Sequence, residues 1–155
     1  MRYYCTAIVA ETFESVSRHL VFATIALTLV AASGCSDGRP TRFRVSGQVL
    51  VDGKPLTYGF VRFVPEGARP STGRIREQGR FTLTCYGKED GVVPGVHRVE
   101  VNAGESITSS QTKWHAPKRY SQYSFSGLTE EVTESTDSLV IDLTWDGGEP
   151  FIEKH

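Results

Sequence analysis

Apolar and polar residues alternate with a period of two along most of the chain that follows residue 42. In residues 43–51, Phe43, Val45 and Val49 occupy one set of alternate positions, and polar residues such as Arg44 and Gln48 occupy much of the other. This alternation is typical of a half-buried β-strand, and no stretch of the region repeats convincingly with the 3.6-residue period of a helix. The pattern predicts seven short strands: residues 43–51, 58–64, 71–77, 80–86, 96–101, 128–132 and 138–145.

Turn-forming residues separate these predicted strands. Asp52-Gly53 follows the first strand, and Gln78-Gly79 precedes the fourth. Glycine readily adopts the positive φ that tight turns require, so we expect the first two strands to form a hairpin through Asp52-Gly53. Seven short strands with regularly spaced turns predict an all-β fold, namely a seven-stranded antiparallel β-sandwich with Greek-key connections.

Two segments lack sustained alternation. Residues 102–125 are polar and aromatic, and we expect them to make a long excursion over the surface. Residues 146–155 have the composition of a loose C-terminal tail. The predicted β-sandwich domain therefore spans residues 43–145.

Within the predicted strands, the alternation also selects the residues that face the core. It directs Phe63, Phe81, Val99 and Ile141 inward. Cys85 falls on the same face as Phe81, and we expect it to be a small buried apolar residue rather than a reactive thiol.

An uncharged apolar run, residues 20–32, has the surroundings of a signal-peptide core. Arg18 and His19 precede the run, and the small residues Ser33 and Gly34 follow it. A helix that spans a bilayer needs about 20 apolar residues, and this run is shorter than that. The order of charge, apolar core and small residues predicts an export signal.

Residues 32–35 (Ala-Ser-Gly-Cys) resemble the lipobox of a bacterial lipoprotein signal, in which the cysteine is lipidated and becomes the mature N-terminus. The resemblance implies a signal peptide over residues 1–34, a lipidation site at Cys35 and a short linker over residues 35–42. It also implies that the membrane is a partner, reached through an N-terminal lipid anchor on the exported side of the cell envelope. An ordinary secretory signal and an uncleaved anchor are the alternatives, and Cys35 is incidental in both.

The composition limits the classes of function. A chain of 155 residues suits one domain, and its 17 basic residues against 18 acidic ones leave a net charge of -1. This balance argues against a nucleic-acid partner, because such proteins carry a basic excess. Of the three cysteines, only Cys85 lies in the predicted domain, so that domain has no internal pair for a disulfide.

Five short motifs follow one another along the predicted domain. They are residues 45–49 (VSGQV), 52–56 (DGKPL), 61–65 (VRFVP), 79–83 (GRFTL) and 93–99 (VPGVHRV). Their order and spacing resemble those of transthyretin-like or carboxypeptidase regulatory-like domains. Together with the lipobox and residues 117–120 (PKRY), residues 35–145 resemble the small lipoproteins of planctomycete bacteria that carry this domain. The resemblance implies an accessory envelope module that is not an enzyme and uses no cofactor.

A cluster of aromatic residues offers the best candidate for binding. Trp114, Tyr120, Tyr123 and Phe125 lie close together in one polar segment. Flat aromatic faces stack on sugar rings or anchor protein partners, so the cluster predicts a surface for an envelope protein or a glycan. The alternative is structural: Trp114 and Tyr120 cover the open end of the sandwich.

One enzymatic alternative depends on four other side chains. Intradiol dioxygenases, which use a related sandwich, hold iron with two tyrosines and two histidines, and His97, His115, Tyr120 and Tyr123 offer the same residue types. Their spacing differs from that of the dioxygenase family. We therefore expect no metal and no catalytic residue in this domain.

Overall fold

The alternating residues of the first predicted strand form the central strand of one sheet. In the computed structural model, which describes residues 38–155, this strand is β1 (Val45–Val51), and its buried positions alternate strictly with half-buried ones. The predicted signal peptide over residues 1–34, Cys35 and the first part of the predicted linker lie outside the described residues.

The described residues form eleven strands and two short 3-10 turns, the latter at Glu77–Gly79 and Lys118–Ser121. The strands are β1 (Val45–Val51), β2 (Lys54–Pro55), β3 (Phe60–Pro65), β4 (Ser71–Arg74), β5 (Arg80–Thr82), β6 (Gly95–Asn102), β7 (Gly104–Thr108), β8 (Gln111–Trp114), β9 (Leu128–Val132), β10 (Thr136–Leu143) and β11 (Phe151–Lys154). The predicted all-β class is confirmed, but β2, β7, β8 and β11 add to the seven expected strands.

These strands form three open sheets. The first contains β10, β1 and β2 in that order, with β5 also paired to β1. The second has the order β4-β3-β6-β9, and the third has the order β11-β8-β7. Every pair is antiparallel except β1 with β10, which is parallel. The expectation of a wholly antiparallel arrangement is therefore wrong for this pair, because alternation along a strand carries no information about the direction of its neighbour.

The expected hairpin between the first two predicted strands is also wrong. After the turn at Asp52 and Gly53, only the two-residue strand β2 pairs with β1. The chain then leaves for the second sheet, where β3 pairs with β4 and β6. The turn residues therefore specify a reversal of the chain, but not the length of the pairing that follows it.

The core lies where the apolar faces of the first two sheets meet. One cluster of buried residues contains side chains from both sheets, among them Val49 and Ile141 from the first sheet and Val61 and Val99 from the second. Phe63, Phe81, Val99 and Ile141 are between 0% and 3% exposed, which confirms their predicted inward orientation. Cys85 is also buried, as expected.

The two segments without alternation build the third sheet. Residues 102–125 contain the hairpin of β7 and β8, and the expected loose tail contains β11, which pairs with β8. Both segments therefore differ from the prediction. Most residues of β7 and β11 are exposed or half-buried, so neither strand has the buried face that produces alternation.

A candidate ligand-binding cleft

The four residues of the predicted aromatic surface differ in their exposure to solvent, and two of them are buried. Trp114 and Tyr120 are each 7% exposed. The indole Nε1 of Trp114 donates to Oε2 of Glu153 at 2.9 Å, and the hydroxyl of Tyr120 accepts from Nη2 of Arg119 at 2.7 Å. Both aromatic residues therefore pack inside the domain and present little ring area to a ligand.

The other two members of the predicted surface are more accessible. The guanidinium of Arg98 lies over the Tyr123 ring, 4.8 Å from its centroid, and the ring is half-buried. Phe125 is 76% exposed. Of the four predicted residues, these two alone offer a substantial aromatic surface to solvent.

The four candidate iron ligands make separate contacts. Nε2 of the fully buried His97 lies 2.9 Å from the carbonyl oxygen of Val93, whereas Nε2 of His115 lies 2.7 Å from Oε2 of Glu105. Tyr120 and Tyr123 have the partners described above. Among residues 38–155, no group of three or more His, Cys, Asp or Glu side chains is arranged to hold a metal ion.

A cleft of about 340 Å³ lies beside the turn that joins β1 to β2. Its walls come from three parts of the chain. These are residues around the β1–β2 turn between positions 51 and 57, His115 directly after β8, and the segment after β10. That last segment contributes Trp145 and Pro150. Residues far apart in sequence thus form one concave surface that has both an aromatic ring and polar groups.

Trp145 forms the aromatic wall. Its half-buried side chain packs against the hydrophobic core, and its ring meets that of Phe151 edge-on, with the centroids 6.4 Å apart. The backbone N–H of Trp145 donates to Oδ2 of Asp52 at 3.3 Å. Contacts with the core and with Phe151 on β11 position the Trp145 side chain. The hydrogen bond to Asp52 holds its backbone against the β1–β2 turn.

His115 forms a polar wall. Its backbone N–H donates to the carbonyl of Ala103 at 3.0 Å, which holds the end of β8 against the start of β7. Its ring lies 5.0 Å from the ring of Tyr58, and its Nε2 contacts Glu105. Because the imidazole has partners on two sides, its orientation beside the cleft is well defined.

Exposed polar groups complete the rim. Asp52, Lys54 and Thr57 are exposed and stand on the hairpin side of the cleft. They supply a carboxylate, an ammonium and a hydroxyl, so the rim contains both hydrogen-bond donors and acceptors. A ligand with an apolar face and polar edges would be complementary to this cleft, because the Trp145 ring can contact its face and the polar rim can bind its edges.

The C-terminal segment that carries Pro150 is held by two ion pairs. Arg119 pairs with Asp146, and Nζ of Lys118 lies 2.6 Å from Oε1 of Glu153. Hydrogen bonds from Lys118 and Trp114 lower the pKa of Glu153, so its carboxylate stays ionised and keeps both partners. These contacts attach the segment to the rest of the domain on both sides of Pro150.

Sequence reasoning missed this cleft. Trp145 ends the last predicted strand, and Pro150 lies in the predicted tail, so neither residue stood out from its neighbours. The parallel register of β1 and β10, in which Val51 lies beside Leu143, brings Trp145 next to Asp52. The structure ends β10 at Leu143, two residues before Trp145, so the sequence carried no signal that set this tryptophan apart from the strand.

Comparison of the chain with family models, curated proteins and solved structures found no match. The function is therefore argued from the geometry and chemistry of the site. Among residues 38–155, no helix has both the length and the apolar character needed to cross a bilayer.

Proposed function

We propose that this chain is an exported, lipid-anchored and non-catalytic module of the cell envelope that binds carbohydrate in the cleft beside Trp145. The proposal depends chiefly on one observation: a half-buried indole shares a concave surface with the polar side chains of Asp52, Lys54 and His115. Sugar rings have an apolar C–H face and a polar rim of hydroxyl groups, which is the complementary arrangement.

The size and shape of the cleft favour a carbohydrate over a folded protein partner. A volume of about 340 Å³ falls at the lower end of the range for small-molecule sites, roughly 300–1,000 Å³. A stable protein interface instead covers about 800 Å² on each partner. A short oligosaccharide can enter this cleft, whereas the surface of a folded protein would contact only its rim.

The finer features of the proposed fold are those of a transthyretin-like, carboxypeptidase regulatory-like β-sandwich. Support comes from the order of the five sequence motifs and from the single core that the first two sheets share. Membership of that family can also be judged by whether its members share the parallel pairing of β1 with β10.

The proposed anchor is a lipid on Cys35. The sequence around Cys35 supports it, and the folded unit that contains the cleft begins shortly afterwards, at Pro40. A single acyl chain holds a protein to a membrane only weakly, so a stable anchor would require two or more chains on this residue.

The test of the carbohydrate site is binding of the full-length protein to an array of neutral and acidic oligosaccharides. We expect Trp145→Ala to abolish binding to the oligosaccharides that the wild type retains, because it removes the stacking face. We expect Lys54→Ala, which alters an exposed side chain, to weaken binding without lowering the melting temperature. Phe125→Ala is the matched control, since it removes an exposed aromatic ring outside the cleft.

Trp145 packs against the core, so loss of binding in Trp145→Ala has to be separated from loss of folding. Trp145→Phe keeps an aromatic face and should retain part of the affinity together with a melting temperature close to that of the wild type. Failure of the wild type to bind any oligosaccharide, or unchanged binding by both Trp145→Ala and Lys54→Ala, would refute the carbohydrate site.

The test of the anchor is detergent-phase partitioning together with incorporation of labelled fatty acid. Cys35→Ala should abolish both signals. Cys85→Ala, which changes the buried cysteine of the folded domain, should leave both unchanged. A Cys35→Ala protein that still partitions into detergent and still carries label would show that the anchor lies elsewhere.

A further inference from the structure

The segment of residues 71–89, which includes β4 and β5 and passes from the second sheet to the first, carries a concentration of basic residues on its outer face. Along residues 71–76 the buried and exposed positions alternate, which directs Arg74 and Arg76 outward. The same alternation directs Arg80 outward at the start of β5. All three arginines line one groove, so their guanidinium groups share one side of this segment.

Main-chain hydrogen bonds hold the two arms of this segment together. The N–H groups of Thr72 and Thr84 donate to each other's carbonyl oxygens at 2.9 Å and 3.0 Å, and the N–H of Arg76 donates to the carbonyl of Arg80 at 2.9 Å. Arg76 and Arg80 therefore lie opposite each other next to the 3-10 turn. Arg74 lies two positions from Arg76, roughly 7 Å along the extended chain.

A groove of about 240 Å³ runs along this face. Four basic side chains line it, those of Arg74, Arg76, Arg80 and Lys88, and Glu89 is the one acidic residue in its lining. The groove also reaches Phe81, which is only 2% exposed. A concave lining of this size suits a discrete anionic group better than a flat bilayer surface.

These basic residues lack the carboxylate partners that other arginines of the described domain have. Arg62 pairs with Glu100, and Arg119 pairs with Asp146. Within residues 38–155, the groove arginines and Lys88 form no such ion pair, and Arg80 donates only to the carbonyl of Asp137. No carboxylate of residues 38–155 is therefore paired directly with these basic side chains.

We propose that this groove binds a soluble ligand that carries two or more phosphate or sulfate groups. Each guanidinium can form two parallel hydrogen bonds to one oxyanion, a geometry that suits phosphate and sulfate groups. Because the basic side chains are spread over β4, β5 and the turns that follow these strands, a single anionic group cannot contact all of them. A ligand with several anionic groups can pair with more of these basic side chains. This second site is independent of the carbohydrate cleft.

The experiment is a calorimetric titration of the protein at low salt with pyrophosphate, with a sulfated heparin hexasaccharide and with inorganic phosphate. The wild type should bind the first two more tightly than inorganic phosphate, and added salt should weaken binding. Arg74→Gln combined with Arg76→Gln should reduce the affinity at least about tenfold, because two charged hydrogen-bond donors are lost.

Three further variants distinguish a loss of binding from misfolding and separate the two proposed sites. Glu89→Gln should increase the affinity, because it removes the negative charge in the groove lining, and misfolding cannot produce such a gain. Arg98→Gln removes one positive charge on β6, outside the groove, and should bind within about twofold of the wild type. Lys54→Gln, in the carbohydrate cleft, should also leave polyanion binding unchanged, so that the two sites can fail separately.

Several outcomes would overturn the proposal. One is a wild type that binds neither pyrophosphate nor the hexasaccharide, and another is a folded double arginine variant with unchanged affinity. Phosphatidylglycerol vesicles form the fourth arm of the titration. Binding to vesicles without binding to either soluble ligand would mean that the basic face contacts a membrane surface instead.

Discussion

The carboxylate of Asp90 organises the turn that follows β5. It accepts hydrogen bonds from the backbone N–H groups of Cys85, Tyr86 and Gly87, at 2.8 Å, 3.1 Å and 2.9 Å, and it pairs with Arg42. Burial raises the pKa of Asp90, but these hydrogen bonds and the guanidinium lower it by more, so the pKa lies below its ordinary value of 3.8.

A carboxylate whose pKa is lowered in the folded protein stabilises the fold fully at pH values above its ordinary pKa. This stabilisation is lost as the pH falls through the lowered pKa. We therefore expect Asp90→Asn to cost about 1.5–3 kcal/mol of unfolding free energy at neutral pH, since hydrogen bonds to a charged group are lost. Urea unfolding at pH 7 and pH 3 measures this, and the variant should lose less stability on acidification. Asp142→Asn, on an exposed position of β10, is the control. Equal stability of Asp90→Asn and wild type at pH 7 would show that the carboxylate has no such role.

His97 is the most deeply buried titratable side chain named above. Burial lowers its pKa from the ordinary value of 6.5, and the hydrogen bond to the carbonyl of Val93 only partly opposes this. The unfolded chain therefore takes up a proton at this residue before the folded protein does. Stability is fully present above pH 6.5 and falls as the pH decreases through the lowered pKa.

We expect His97→Phe to flatten the dependence of melting temperature on pH just below 6.5. Glu130 is paired with His97 across β6 and β9, and burial raises its pKa above 4.5, so its contribution has the opposite sign at lower pH. Melting curves of His97→Phe in a Glu130→Gln background isolate the histidine. An unchanged slope in that background would assign the acid sensitivity to other groups.

At the scale of elements, the parallel pair of β1 and β10 depends on a close approach at Gly47. A Cβ atom there would lie 2.1 Å from the carbonyl oxygen of Leu139, which is backbone and cannot move aside cheaply. The glycine in the first sequence motif therefore has a packing reason that only the paired strand reveals.

We expect Gly47→Ala to destabilise the protein by about 1–3 kcal/mol, the usual range for overpacking, because the two strands must separate. Gly87→Ala is the matched control, since the nearest heavy atom to its added Cβ is 3.8 Å away. Chemical denaturation of both variants measures the difference. If Gly47→Ala proved as stable as Gly87→Ala, the register of β1 against β10 would be incorrect.

Across the whole molecule, the C-terminal segment completes both the third sheet and the cleft. Glu153 on β11 accepts the indole hydrogen bond of Trp114, and Pro150 lines the cleft beside Trp145. A segment that appears dispensable in the sequence therefore connects the stability of the third sheet to the shape of the proposed binding site.

Deletion of residues 150–155 should expose Trp114, shift its fluorescence to longer wavelength and weaken carbohydrate binding in the cleft. Glu153→Gln keeps the strand and changes only the charge, so it should produce a smaller fluorescence shift. The Trp145→Phe background assigns the fluorescence to Trp114. Unchanged emission and unchanged melting temperature after the deletion would mean that β11 contributes nothing to the fold.

Local alternation was sufficient to predict the all-β class and the inward orientation of residues such as Phe63 and Phe81, because a strand's two faces are encoded by neighbouring residues. Strand partners were not predictable in the same way. The β1–β10 and β8–β11 pairs join distant segments, and strands such as β11 lack a buried face that would mark them in the sequence.

The same distinction between local sequence signals and long-range contacts applies to the candidate site. Sequence reasoning identified an aromatic cluster that includes Trp114 and Tyr120, and it did not identify the basic groove. Tertiary structure alone decided that Trp114 and Tyr120 are buried and that Trp145 lies beside Asp52. The physical reason is that a side chain's exposure depends on which distant segments pack against it, and those contacts form only when the sheets assemble.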